Sequence, residues 1–200
     1  LAKSDGSKFG KTAGGAVWLD PEMTSPYEFF QYWLNSDDAD MPKFLKVFSM
    51  KDRSEIERLI QTVQDNPGAR EAHRELAREI TTLIHGEKAS NMAEAAAKAL
   101  FGQGEISELD LVTLDSALSQ LPRVELAQNE DIPSWVDLLA GSGVVDSKSA
   151  ARRIVKEGGA YLNNQKVTSE DFTPKSSDFL HGKYLLLRKG KRDLAAVVRL

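Results

Sequence analysis

Lys8-Phe9-Gly10-Lys11-Thr12 is a short basic loop whose residue types suit the handling of phosphates. Glycine lets such a loop change conformation, and the ammonium groups of Lys8 and Lys11 sit on flexible stems that can follow negative charge as it develops. A P-loop is the competing motif, and it fails on spacing. Gly10-Lys11-Thr12 would end one correctly, but the required earlier glycine falls on Asp5, and Gly6 is one residue too close. Ala13-Gly14-Gly15 is also a poor start for the helix that a P-loop opens. Taken alone, the five residues read as a solvated lysine-rich turn. A second group of cations lies near the C-terminus. Lys148, Arg152 and Lys156 recur at i, i+4 and i+8 on one helical face, with Arg153 beside them. Arg188-Lys189-Gly190-Lys191-Arg192 adds a basic turn, and together the two segments make a phosphate-gripping cleft or, more blandly, a solvated basic face. No Ser/His/Asp arrangement is evident. His73 and His181 lack metal-ligand spacing and read as surface residues, so no metal site is expected.

The elements that must position these groups fall into three stretches. Residues 1–23 are rich in Gly, Lys and Ser and read as loop and linker. Residues 24–127 read as a helical domain. Ser25-Pro26-Tyr27-Glu28 combines a capping box with proline at the first helical position, ahead of Phe29, Phe30, Trp33 and Leu34. A second buried helix follows Asp40 with Phe44, Leu45, Val47 and Phe48. Asp52 and Glu55 begin a third, which Asn66-Pro67-Gly68 stops. Leu76, Ile80, Leu83 and Ile84 mark a fourth, ending at His85 with Gly86 in the stop position. An Ala-rich fifth and a Leu-rich sixth extend the helical signal to about Leu126. Residues 127–133 are polar, end in proline and make a linker.

Residues 128–200 read as a small α+β domain able to fold by itself. A short helix carries Trp135, Leu138 and Leu139, and Ser147 caps the basic helix that Gly158-Gly159 ends. A hairpin turning at Asn163-Asn164 and two strands near residues 184–188 and 194–200 follow. The fold class is therefore mainly α followed by α+β. Zero cysteines exclude disulfides and thiolate metal sites, and no apolar run approaches the roughly 20 residues of a membrane span. Residues 1–133 hold 14 Lys/Arg against 23 Asp/Glu, whereas residues 134–200 hold 12 against 7. A basic tail on an acidic body points to a polyanionic partner.

Several longer matches bear on function. Residues 5–12, then Val17-Trp18-Leu19-Asp20-Pro21, Phe30-Gln31-Tyr32-Trp33-Leu34-Asn35, Asp37-Asp38-Ala39-Asp40 and Leu83-Ile84-His85-Gly86-Glu87 closely resemble bacterial tyrosyl-tRNA synthetases. In that family Lys-Phe-Gly-Lys-Ser/Thr is the second signature loop of class I synthetases. The resemblance implies ATP, with Mg2+ carried by the nucleotide, at a site to which Lys8, Gly10, Lys11 and Thr12 belong, the two lysines steadying the triphosphate. It also implies that the Rossmann catalytic domain, the tyrosine pocket and the family's homodimer interface lie upstream of this chain. The chain alone is then expected to be inactive and monomeric, with nothing bound. The helical domain corresponds to the family's anticodon-binding domain, in which Asp37 and Asp38 of the acidic loop are candidates for accepting from base edges. The loop's alternative use is helix capping, which accounts for Asp40.

Residues 137–167 resemble the RNA-binding domain of the ribosomal-protein-S-four type, carried at the C-terminus of bacterial tyrosyl-tRNA synthetases. That implies tRNA-Tyr as partner, held by its anticodon region and long variable arm, with Lys148, Arg152, Arg153, Lys156, Arg188, Lys189, Lys191 and Arg192 on its phosphates. Asn164 stands where glycine is usual in that domain, and asparagine tolerates the positive φ of the turn. A cytoplasmic location follows from the same resemblance. The alternative is a stand-alone RNA-binding module without ligase activity, which has no need of the lysine loop.

Overall fold

Helix formation here is decided locally, by caps and apolar periodicity, and the sheet by pairing across long sequence separations. The structure is a computed structural model that describes residues 2–12 and 15–200, with the side chains of residues 11, 12 and 15 outside the description. The chain forms two compact units, Leu1–Glu94 and Ala95–Leu200.

The first unit opens with a two-stranded antiparallel hairpin, β1 (Lys11–Thr12) and β2 (Gly15–Ala16), pairing Lys11 with Ala16 and Thr12 with Gly15. Helix α1 (Pro26–Leu34) starts at the expected capping box: the Ser25 hydroxyl accepts from Glu28 N at 3.2 Å, and Ser25 N donates to Glu28 Oε2 at 3.1 Å. It buries Tyr27, Phe29, Phe30 and Trp33. Helix α2 (Met41–Phe48) buries Met41, Phe44 and Leu45 but leaves Val47 exposed. Asp52 caps α3 (Arg53–Asp65) by accepting from Glu55 N at 2.9 Å, and α3 ends ahead of Pro67. Helix α4 (Glu71–His85) packs along α1, α2 and α3 and contributes Leu76, Ala77 and Ile80 to the core. Gly86 ends it at φ 87°, a conformation that favours glycine. Leu83 and Ile84 continue the apolar pattern of α4 yet are exposed.

Helix α5 (Glu87–Leu100) begins in the first unit and ends in the second. Asp110 caps α6 (Leu111–Ser119), accepting from Thr113 N at 2.8 Å. A five-stranded sheet follows in the order β3-β7-β6-β4-β5, built from β3 (Arg123–Leu126), β4 (Ala160–Leu162), β5 (Gln165–Lys166), β6 (Tyr184–Lys189) and β7 (Asp193–Arg199). Asn163 and Asn164 both take positive φ in the β4–β5 turn, as a tight primed hairpin requires. Helices α7 (Trp135–Gly141) and α8 (Lys148–Lys156) start at Ser134 and Ser147, whose hydroxyls accept from Asp137 N and Ala150 N. They pack with the sheet around Trp135, Leu139, Ala151 and Val155. Trp135 is fully buried and donates its Nε1–H to the Tyr161 carbonyl at 3.1 Å.

Two expectations need correction. The helical signal does not run to Leu126, because residues 123–126 form β3, lying parallel to β7 with Arg123 opposite Ala196 and Leu126 opposite Arg199. The compact units also divide inside α5 rather than at residues 127/128. The physical reason is the same for both. A strand as short as β3 is stabilised by its ladder to β7, more than sixty residues later, and no local signal announces that ladder.

Candidate functional site

The lysine loop is fixed through its aromatic residue. The Phe9 ring meets Phe48 nearly stacked at 4.9 Å, Phe44 at 5.2 Å, Trp33 at 5.5 Å and Tyr32 at 5.8 Å. Gly10 N donates to the Tyr32 phenol oxygen at 3.0 Å, and the Gly10 carbonyl accepts from Val17 N at 3.0 Å. Gly10 sits at φ 77°, where a Cβ would meet no atom within 4 Å, so its requirement for glycine is conformational rather than steric. Upstream, a bridge between Ala2 and Lys8 closes the segment on itself. Lys8 is exposed and has no ion-pair partner among the described residues, which leaves its ammonium available to an anion. The backbone of Lys11 and Thr12 forms β1, while their side chains lie outside the described residues.

The acidic loop joins α1 to α2, and its three aspartates have separate uses. Asp37 is exposed, one carboxylate oxygen accepting from Ala39 N at 2.8 Å. Asp38 turns inward, its Oδ1 lying 3.0 Å from His73 Nε2 and 3.6 Å from Arg70 Nη1. Arg70 also donates to the carbonyls of Leu34 and Ser36, so it staples the end of α1 to the start of α4. Asp40 is buried and makes no cap bond to α2; its Oδ1 accepts from Ser4 N at 2.6 Å instead. Capping therefore does not account for Asp40. His73 is not on the surface either, being only 1% exposed. Burial and the Arg70 charge hold its imidazole below the ordinary value, against the opposing pull of Asp38. His85 meets Phe29 edge-on at 4.9 Å, and burial lowers its imidazole as well.

In the second unit the basic helix and the basic turn are brought together by backbone. Gly159, just past the end of α8, accepts from Gly190 N at 2.8 Å through its carbonyl. The cations themselves divide into free and occupied. Arg152, Lys191 and Arg192 are exposed, with no ion pair to a carboxylate among the described residues. Lys148 lies 2.6 Å from Asp137, Lys156 3.3 Å from Glu170, Lys189 3.0 Å from Asp193 and Arg153 3.8 Å from Glu157. The Lys148 ammonium and the Ser134 hydroxyl beside Asp137 hold that carboxyl below the usual carboxylate range. Exposed pairs of this kind are worth little.

Arg188 does not belong with this group. It is 8% exposed, its guanidinium lies 3.9 Å from the centroid of the Tyr161 ring, and Nη1 donates to the Gly190 carbonyl at 2.7 Å. Its β6 position turns it into the unit, where Gly102 also approaches the guanidinium. Lys166 went unnoticed in the sequence although it joins the exposed cations: its Nζ passes 2.9 Å from where a Cβ on Gly158 would stand. Phe9 and Tyr32 were missed as loop anchors for a similar reason, since the only signal was an aromatic inside a basic loop. Among the described residues, no group of three or more His, Asp or Glu could hold a metal ion, and no helix is long and apolar enough to cross a membrane.

The lysine loop thus leads into the helices of the first unit, and the free and paired cations described above lie in residues 134–200, the net basic part of the second. Comparison with known proteins gives the class. The family model described as tRNA synthetases class I (W and Y) matches residues 1–102, and the chain belongs to that family. That match takes in the whole first unit and the end of α5. A second family model, the tyrosine–tRNA ligase SYY-like C-terminal domain, matches residues 113–197 and so takes in β3. The tyrosine–tRNA ligase of Streptomyces coelicolor is 56% identical over 197 residues, covering 98% of this chain and 46% of the relative. That of Streptomyces avermitilis is 55% identical over 197 residues, with 98% and 46% covered. The Thermobifida fusca ligase is 53% identical over 199 residues, with 99% and 46% covered. The chain thus spans just under half the length of these relatives.

Proposed function

We propose that the chain is the tRNA-binding C-terminal part of a tyrosine–tRNA ligase, which activates tyrosine with ATP as tyrosyl-adenylate and passes the tyrosyl group to tRNA-Tyr. One observation carries the reading: within 200 residues the chain matches class I synthetases over residues 1–102 and the tyrosine-ligase C-terminal domain over residues 113–197. Lys8 and Lys11 contact the triphosphate, and Gly10 and Thr12 belong to the same loop. As the tyrosine carboxylate attacks the α-phosphorus, negative charge builds on the departing pyrophosphate, and ammonium groups on a preset backbone stabilise it. The exposed, unpaired state of Lys8 supports that use. Mg2+ enters with the nucleotide.

The helices of residues 26–119 take the anticodon region. Asp37 is exposed and suited to accepting from a base edge; Asp38 lies against Arg70 and His73 and holds the loop in shape. The sheet of β3 to β7 with α7 and α8 is of the ribosomal-protein-S-four type and takes the long variable arm. Arg152, Arg153, Lys191 and Arg192 hold its phosphates, with Lys148, Lys156 and Lys189 joining when they leave their carboxylates. The complete enzyme is a cytoplasmic homodimer, whereas this chain alone is monomeric and inactive.

Two measurements test the reading. The chain should bind tRNA-Tyr in preference to a tRNA with a short variable arm, and the complete ligase should catalyse tyrosine-dependent ATP–pyrophosphate exchange that the 200-residue chain does not. RNA binding without exchange in the complete protein would instead favour a stand-alone RNA-binding module.

A further inference from the structure

Among the described residues, the N-terminal segment that carries the lysine loop is tied to the α1–α2 hairpin by the Phe9 ring and by three hydrogen bonds. Phe9 inserts its ring among Tyr32, Trp33, Phe44 and Phe48. The Tyr32 phenol accepts from Gly10 N, and Asp40 Oδ1 accepts from Ser4 N. Lys43 Nζ donates to the Ala2 carbonyl at 2.5 Å. A carboxylate as buried as Asp40 is costly unless hydrogen-bonded, and the Ser4 amide supplies the bond. Of these hydrogen bonds, only the one at Gly10 falls between the two lysines. Gly10 also takes the left-handed region that favours glycine, and its N–H bond to Tyr32, together with the bond its carbonyl accepts from Val17 N, sets the backbone between Lys8 and Lys11. Burial raises the Tyr32 phenol above its ordinary value.

We propose that Tyr32 is a positioning residue for the lysine loop: by accepting from Gly10 N–H, it fixes the backbone between Lys8 and Lys11 so that both ammonium groups meet the triphosphate together. The proposal rests on the phosphate-binding role assigned to those lysines above. Asp40, at the other end of the same hairpin loop, sets the approach of the segment through Ser4. The acidic loop that carries Asp37 is thereby continuous with the hold on the lysines, since residues 32 and 40 bracket it.

Tyr32→Phe isolates the hydrogen bond, because it removes one oxygen and keeps the ring that Phe9, Trp33 and Lys3 contact. In the complete ligase, the variant should lower kcat for ATP–pyrophosphate exchange roughly tenfold, the worth of one hydrogen bond, and leave KM for tyrosine unchanged. The double variant Tyr32→Phe, Lys8→Ala should be no more than about threefold slower than Lys8→Ala alone, since a residue acting through the lysine has less left to position. In the 200-residue chain, Tyr32→Phe should speed hydrogen exchange at the Gly10 amide while the amides of α1 and α2 stay protected. Full additivity of the two substitutions, or an unchanged kcat, overturns the positioning role. If the unmodified ligase shows no exchange activity, the functional reading fails instead. The Gly10 amide then decides whether Tyr32 holds the loop, and unaltered exchange there overturns the hold as well.

Discussion

Arg188 and Arg152 carry the same charge, yet one spends it inside the second unit and the other leaves it to solvent. Arg188 lies over Tyr161 and donates to Gly190, contacts that fix the turn joining β6 to β7. Arg188→Ala should therefore destabilise the chain by about 2–4 kcal/mol, the sum of a buried cation–π contact and a charged hydrogen bond. Arg152→Ala, Lys191→Ala and Arg192→Ala should each change stability by less than about 0.5 kcal/mol. Chemical denaturation separates the two classes, and equal stability of all four variants would contradict the placement of Arg188. His73 supports a second expectation at this scale. Its folded imidazole titrates below the ordinary value, so the unfolded chain binds the proton first as pH falls. Stability should then be full above about pH 7 and decline through about pH 6 toward the lowered folded value, with His85 adding to the same slope. Urea unfolding at a series of pH values would show this, and His73→Gln should flatten the profile. A profile already flat in the unmodified chain would rule out the burial-driven shift.

At the scale of elements, β3 decides what counts as a folding unit. It covers the edge of β7 along four paired residues, and Leu126 enters the core that contains Trp135. Side chains farther upstream are also engaged. Tyr184 donates to Asp115, His181 Nε2 lies 2.7 Å from the Leu109 carbonyl, and Asn164 donates to the Ala99 carbonyl at 2.6 Å. A fragment spanning residues 134–200 lacks all of these partners and bares the β7 edge, which invites edge-to-edge association. Residues 95–200 should give a dispersed amide spectrum, while residues 134–200 should give a collapsed spectrum or aggregate. A well-dispersed spectrum from the shorter fragment would show that β3 is dispensable.

For the molecule as a whole, the charge imbalance separates two kinds of RNA contact. The acidic body cannot attract a polyanion without local features, whereas the C-terminal stretch is net basic. Replacing Arg152, Arg153, Lys191 and Arg192 together with alanine should weaken tRNA-Tyr binding. It should also flatten the log–log salt dependence by about 0.7–0.9 for each phosphate that is no longer neutralised. Asp37→Ala should instead reduce discrimination against an anticodon-swapped tRNA-Tyr with little change in salt slope, because a base-edge contact releases no counterions. Titrations at several salt concentrations with both RNAs check both outcomes. An unchanged slope in the four-alanine variant would leave the basic face as ordinary solvated surface.

The sequence by itself determined what is decided within one or two helical turns or a tight turn. The Ser25–Glu28 box, the caps at Asp52 and Ser147, the stop at Gly86 and the Asn163-Asn164 turn all rest on partners a few residues away, so the spacing of residue types was enough to read them. The lysine loop and the basic helix were legible for the same reason. Tertiary structure alone decided where long-range partners meet. Asp40 reaches Ser4 rather than its own helix, Phe9 and Tyr32 hold the loop, His73 is buried beside Asp38, and Arg123–Leu126 becomes a strand against β7. A charge or a ring has the same letter whether it faces water or another side chain, and only the folded chain fixes which.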